Sequence, residues 1–270
     1  MKVWVLGSGS KGNAVLLESR ATRVLVDCGF GTRTIAQRLK SAGVAPQEID
    51  ACVLTHDHSD HVSGVAAAAA KWGWKVYATA GTAGATCLAD VPVTTFAAGE
   101  TLRLGRFEVE TAATPHDASE PVGLVLTDVA TGARAGICYD VGHASDAVRA
   151  LCREVDVLVL EANHDEGMLW SGPYPPWLCQ RIAGGNGHLS NKAAGELARD
   201  SVSKRLAHIV LAHLSEKNNS PAIAHGAVSR ALSRTRWKGT LTPAAQHAVV
   251  GPFAPLGTVI AQQAQLSLGL

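Results

Sequence analysis

Val53-Leu54-Thr55-His56-Asp57-His58-Ser59-Asp60-His61 places three imidazoles and two carboxylates in one short turn after an apolar run. Unpartnered buried polar groups are costly, so a crowd of this kind points to a bound divalent metal. With Ala51–Leu54 as a strand and a helix starting near Val62, His56 and His58 project the same way from extended chain. Asp60 and His61 then face a second position beside the first. One H-x-H is a weak signal; four ligand-type residues within six match a mechanism.

Working outward, three further ligand types stand where apolar strands should end. His116 follows Thr111–Thr114, Asp140 follows Gly136-Ile137-Cys138, and His213 follows Ile209-Val210-Leu211. A rigid scaffold presents functional groups on the loop side of its strands. Two sites are then expected: one from His56, His58 and His116, the other from Asp60, His61 and His213. The Asp140 carboxylate lies between them, because a carboxylate bridges two cations and a neutral imidazole does not.

The rest of the chain reads as alternating strands and helices. Val3–Leu6, Ala14–Glu18 and Arg23–Val26 suggest a meander, and the Gly7–Asn13 loop lacks the ending of a phosphate-binding P-loop, so it is read as a hairpin loop near the site. Thr32–Ala42, Val62–Trp72 and Asn191–Val202 read as helices, and Ala51–Leu54 as a buried strand. Val76–Ala78, Val93–Phe96, Thr101–Leu104, Phe107–Thr111, Gly123–Thr127, Ala135–Cys138, Val157–Glu161 and His208–Ala212 read as further strands. This order predicts a layered α/β protein.

Composition bounds the function classes. The chain has 270 residues, 47% of them apolar, with no linker or repeat to divide it, so one domain over 1–270 is expected. The first residues are too briefly apolar for a signal peptide, no stretch is long and apolar enough to span a membrane, and the six cysteines are scattered without a C-x-x-C pair. A cytoplasmic protein with reduced thiols is the expectation. Net charge is +1, yet from Arg181 to Lys238 ten basic residues face three acidic ones, a local surface suited to anions. Gly239–Leu270 carries no Asp, Glu, Lys or Arg. It can return a strand, with Thr258–Ala261 the candidate, cover the back of the site, or form a homodimer contact.

The turn of histidines followed by His116, Asp140 and His213 resembles the metallo-β-lactamase fold superfamily, from end to end of the chain. The resemblance implies a four-layer αββα sandwich with a dinuclear site at one sheet edge. It gives Asp27, in LVDCG, the role of holding the metal loop from behind by hydrogen bonds. Gly7–Asn13, Leu160–Asp165, Gly187–Asn191 and His213–Asn219 are similar to motifs of the YycJ/WalJ-type branch near the RNase Z-like phosphodiesterases, which is associated with exonuclease action on DNA from the 5′ end. Leu189 separates the histidine and serine of the Gly187–Asn191 loop, and no extended RNA-binding arm is evident; both point away from tRNA processing.

A metal-dependent phosphodiesterase is therefore expected, with DNA as substrate. Two bound cations, zinc best suited and manganese compatible, would generate hydroxide near neutral pH and polarise phosphoryl oxygens. Asp60 is assigned to orient the nucleophile and shuttle its proton, and His188 to donate a hydrogen bond or proton to a substrate oxygen. Ser190 and Asn191, at a helix start that favours phosphate, and His164 are candidate substrate contacts, with Glu161 bracing the site. His143 has no assigned part. The alternatives are a thioester or lactam hydrolase, for which no export signal or need for the Gly187–Asn191 loop is seen, and a metal-dependent binding or regulatory protein. Against the latter, structural zinc sites are closed and usually rich in thiolates.

Overall fold

Aliphatic and β-branched runs form the strands, and their burial separates two kinds. Val157–Glu161 is buried throughout and His208–Ala212 nearly so, as strands covered on both faces must be, whereas Phe107–Ala113 alternates buried and more open positions. The structure, a computed structural model, describes residues 1–257.

The first sheet contains β1 (Lys2–Gly7), β2 (Ala14–Ser19), β3 (Thr22–Val26), β4 (Ala51–Val53), β5 (Lys75–Thr79) and β6 (Val93–Phe96), side by side in chain order. The second contains β7 (Thr101–Leu104), β8 (Phe107–Ala113), β9 (Val122–Asp128), β10 (Ala133–Cys138), β11 (Val157–Glu161), β12 (His208–Ala212) and β13 (Thr240–Pro243). Finally β14 (Val250–Phe253) pairs with β1, so each sheet has seven strands. Pairing is antiparallel from β1 to β3 and parallel from β3 to β6. The second sheet repeats the pattern, antiparallel from β7 to β10 and parallel from there to β13.

Val5, Leu17, Val24 and Val26 of the first sheet meet Phe107, Leu124, Ile137 and Val210 of the second in a shared apolar core. On the outer face of the first sheet lie α1 (Thr32–Ser41), through Ile35 and Leu39, and α3 (Val65–Trp72), through Val65 and Ala68. On the outer face of the second lie α5 (Asp146–Cys152), α8 (Asn191–Asp200) and α9 (Pro221–Leu232), through Val148, Leu197 and Val228. The layers are those of the expected αββα sandwich. Short helices α2 (Ser59–Val62), α4 (Ala80–Ala83), α6 (Glu166–Ser171) and α7 (Pro176–Ala183) complete the set.

Two local expectations are revised, and a third lies beyond what the structure describes. The helix expected over Val62–Trp72 is two helices: it starts earlier, at Ser59, and breaks at Ser63-Gly64. Gly64 lies so close to the 28–30 segment that a Cβ there would overlap the Phe30 carbonyl. The helix from Asn191 ends at Asp200, not Val202. The candidate strand Thr258–Ala261 lies outside the described residues; within them, the returning strand is β14.

Candidate metal centre

The histidine turn is held from behind by one carboxylate. Asp27 leaves β3 with φ +60°, a conformation disfavoured for residues bearing a Cβ, so its surroundings must hold it there. Its Oδ1 accepts the Thr55 N–H (2.8 Å), and its Oδ2 accepts Thr55 Oγ1–H (2.7 Å), Tyr139 O–H (2.6 Å) and His61 Nδ1–H (2.8 Å). Four donors satisfy a fully buried carboxylate. The neighbouring Gly29 sits against the backbone of Asp60, where a side chain would collide.

Three imidazoles form the first donor set, each with one nitrogen engaged by the protein. His56 Nδ1 lies 3.0 Å from Thr55 Oγ1, whose hydrogen is given to Asp27, so the imidazole is the donor. His116 Nδ1 donates to the Gly187 carbonyl (2.9 Å), and His58 Nε2 to the Asp117 carbonyl (3.2 Å). His56 Nε2, His58 Nδ1 and His116 Nε2 remain, grouped closely enough to share one ion. His56 Nε2 is buried and has no hydrogen-bond partner, while the other two face each other at 3.2 Å. Lone pairs converging in this way fit a cation. Burial pushes the pKa of both His56 and His116 down, outweighing the pull of Asp140, so both favour the neutral, metal-binding form.

The second set is Asp60, His61 and His213. Asp60 Oδ2 lies 3.2 Å from His213 Nε2 and 3.4 Å from His61 Nε2. With His61 Nδ1 on Asp27, and His213 Nδ1 2.9 Å from Asp140 Oδ1 and 3.0 Å from Glu161 Oε1, both Nε2 atoms turn inward. Burial would raise the Asp140 carboxyl and depress His213 and His61; their mutual attraction wins, holding Asp140 well below the carboxylate range and both imidazoles well above theirs. Asp140 lies 3.0 Å from His61 Nε2 through Oδ2 and 4.0 Å from His116 Nε2 through Oδ1, between the two sets. It also groups with His56 and His61. Like Asp27 it has a left-handed backbone, φ +57°, as does His213 at +53°.

Asn13 is a site residue that the sequence reading passes over. Its Nδ2 lies 3.1 Å from Asp60 Oδ2 and 3.0 Å from His61 Nε2, while its Oδ1 accepts from Ser8 Oγ, which in turn accepts the His213 N–H. The Gly7–Asn13 loop thereby ties the end of β12 to the histidine turn. Only the polar residue closing that glycine-rich loop signals this in the sequence. Tyr139, beside the expected Asp140, is also missed.

Glu161 supports a fourth imidazole. Its Oε2 accepts the N–H groups of Val141 (2.9 Å) and Leu189 (3.1 Å), and its Oε1 lies 2.8 Å from His188 Nδ1. His188 thus stands next to the two expected donor sets, its ring centre 5.0 Å from that of His116 and 5.1 Å from that of His213, and it also groups with Asp140, Glu161 and His213. Burial works against its proton, but Glu161 outweighs burial and raises the His188 pKa.

Most of the remaining candidates have protein partners of their own. Ser190, expected to touch substrate, caps α8 by accepting the Ala193 N–H and donates to Glu166. Asn191 is buried, its side-chain amide paired reciprocally with Asn219 at 2.9 Å in both directions. The physical reason is that a helix start needs acceptors and a buried amide needs partners. His164 is buried behind the loop and belongs to none of the donor groups; His143 donates to the Gly185 carbonyl. Leu189, which interrupts the histidine–serine pattern, packs into the core against α8. The basic surplus after Arg181 is partly offset by acids outside that segment, Arg181 pairing with Asp117 and Arg205 with Asp156.

An αββα sandwich with paired imidazole and carboxylate donors at its strand ends defines a metallohydrolase. The family described as "Beta-lactamase superfamily domain" matches residues 22–214, and the chain belongs to it, a metal-dependent hydrolase of the metallo-β-lactamase fold. Over 231 residues it is 33% identical to exodeoxyribonuclease WalJ of Streptococcus pneumoniae, spanning 83% of this chain and 85% of that protein. Over 233 residues it is 31% identical to exodeoxyribonuclease YycJ of Bacillus anthracis, spanning 84% and 88%. In fold it resembles the metallo-β-lactamase fold protein YhfI from Bacillus subtilis, with a TM-score of 0.67 and 17% identity over 93% of this chain and 99% of that one. Among the described residues, no helix is long and apolar enough to cross a membrane.

Proposed function

We propose that this hydrolase cleaves the phosphodiester bonds of DNA in the cytoplasm, releasing nucleotides from a strand end in the 5′ to 3′ direction. The observation that carries the reading is the join of two donor sets through Asp140, with His188 poised beside both. Likeness to two exodeoxyribonucleases over more than four-fifths of the chain supports DNA as the substrate. His56, His58 and His116 would hold one ion and Asp60, His61 and His213 the other, with Asp140 shared. Zinc suits this histidine-rich set, with manganese as the alternative. Bound divalent ions supply Lewis acidity, activating water near neutral pH and offsetting phosphoryl charge.

The chain's own side chains do the remaining work. Asp60, oriented by Asn13 and His213, takes the proton of the attacking water. His188, fixed through Nδ1 on Glu161, directs its Nε2 hydrogen to a phosphoryl or leaving oxygen, as general acid or hydrogen-bond donor. Glu161 accepts from His188 and His213 at one oxygen and from two backbone N–H groups at the other, so its own position is over-determined.

The test is hydrolysis of end-labelled single- and double-stranded DNA by the metal-loaded protein, comparing Zn²⁺ and Mn²⁺ with His58→Ala as control. Nucleotide release that requires His58 is expected, and the labelled end fixes the polarity. No release under either metal, with a thioester or lactam hydrolysed instead, overturns the reading.

A further inference from the structure

The segment joining β11 to α8 carries two features that this mechanism leaves unused. Its helices α6 and α7 hold Trp170, 57% exposed, and Trp177, 64% exposed. A tryptophan exposed alone is ordinary, so its neighbours decide whether it has a use. In α7, Arg181 follows Trp177 by one turn, so the two share a helix face with Cβ atoms about 5–6 Å apart.

That face borders the first donor set. Arg181 Nε donates to Asp117 Oδ2 at 2.6 Å, the Asp117 carbonyl accepts from His58, and Asp117 Oδ1 lies 3.5 Å from His116 Nε2. The Arg181 side chain is 58% exposed, and among the described residues its Nη1 and Nη2 have no acceptor. One edge of the guanidinium is tethered; the other has no protein partner among the described residues and belongs to an exposed side chain. A tethered fork of this kind is suited to a phosphate.

We propose that Trp177 and Arg181 form a subsite for single-stranded DNA beside the cleavage centre, resting on the phosphodiesterase reading above. One base stacks on the Trp177 indole and a neighbouring phosphate takes the open nitrogens of Arg181. Stacking on an aromatic platform tolerates any base, which fits an enzyme that removes nucleotides in succession. A dimer contact or a lipid surface would use the exposed tryptophans without needing an arginine tethered next to the donor histidines.

The test uses the metal-loaded full chain and a short, nuclease-resistant phosphorothioate oligothymidylate, with binding read by fluorescence anisotropy. Trp177→Ala should weaken binding roughly tenfold, the size of one base–aromatic stack, and Trp177→Phe should recover most of it. The gap between Trp177→Ala and the parent should vanish on a fully abasic strand. Arg181→Gln should weaken binding to both strands and lower the salt slope of log K by about 0.7, one single-strand phosphate contact. Cleavage of the unmodified strand is followed in parallel. Binding through Trp177 without cleavage leaves the subsite standing and removes the nuclease reading. Cleavage with Trp177→Ala binding as tightly as the parent, or no strand binding at all, overturns the subsite. So does a Trp177→Ala protein that changes oligomeric state or vesicle binding while its oligonucleotide affinity stays the same.

Discussion

Asp27 Oδ2 accepts the Nδ1–H of His61 at 2.8 Å, and neither side chain is exposed to solvent. The same carboxylate takes donors from Thr55 and Tyr139, so it has to be an acceptor at both oxygens. In Asp27→Asn one oxygen becomes an N–H₂, which meets a donor whichever way the amide is turned. We expect metal affinity to fall by about 10–100-fold, the usual scale for losing a partner that orients a ligand. Competition with a chromogenic chelator measures it; unchanged affinity would mean that His61 is oriented without Asp27.

His188→Ala separates chemistry from metal loading. Glu161 keeps His213 and two backbone N–H groups when the imidazole is removed, so the donor sets should stay in place. Turnover of DNA should drop by about 10²–10⁴-fold, as for loss of a general acid. Metal content, read by elemental analysis, should match the parent. A protein that loses its metal along with its activity would place His188 among the ligands instead.

Asn191→Ala tests the inward placement of that side chain. The substitution removes both hydrogen bonds to Asn219, which still donates to the Ala162 and Asn163 carbonyls. Stability should fall by about 1–2 kcal/mol in urea unfolding, with KM for DNA unchanged. A raised KM in a stably folded variant would return Asn191 to the substrate.

Asp128 supplies a pH dependence away from the centre. Burial would raise its pKa, but hydrogen bonds, led by Thr131 Oγ1–H at 2.7 Å, together with the charge of Arg106, hold it below the ordinary value. A depressed folded pKa stabilises the protein above the unfolded pKa, and this contribution is lost as pH falls through the folded one. Asp128→Asn should therefore be less stable by about 1.5–3 kcal/mol at neutral pH. The gap should close in acid below about pH 4, followed by urea unfolding across pH. A constant gap would show that the carboxylate's charge contributes nothing.

What is legible in the sequence is what is local. Four ligand types from His56 to His61 announce a centre because no turn or cap needs that crowd, and strands such as Val157–Glu161 announce themselves as continuous apolar runs. His116, Asp140 and His213 are readable because each ends such a run. Asn13 is not, since its meaning lies in contacts to Asp60 and His61, 47 and 48 residues away. β13 and β14 are short and carry Pro243 and Pro252, residues poor in strands, and α7 is a single short helix opening on Pro176. Ser190 and Asn191 are ambiguous for another reason: the residue types that contact phosphate at a helix start are also those that cap it.

Each proposed ion would draw its ligands from both halves of the sandwich, His56, His58, Asp60 and His61 after β4 and His116, Asp140 and His213 after β8, β10 and β12. Bound metal then acts as a cross-link between the sheets. By mass action, free metal at a hundred times its Kd adds about 2.7 kcal/mol to the folded state. A chain starved of metal would lose that grip along the edge where substrate arrives. Its resistance to heat and proteases would thus be tied to its fitness for work.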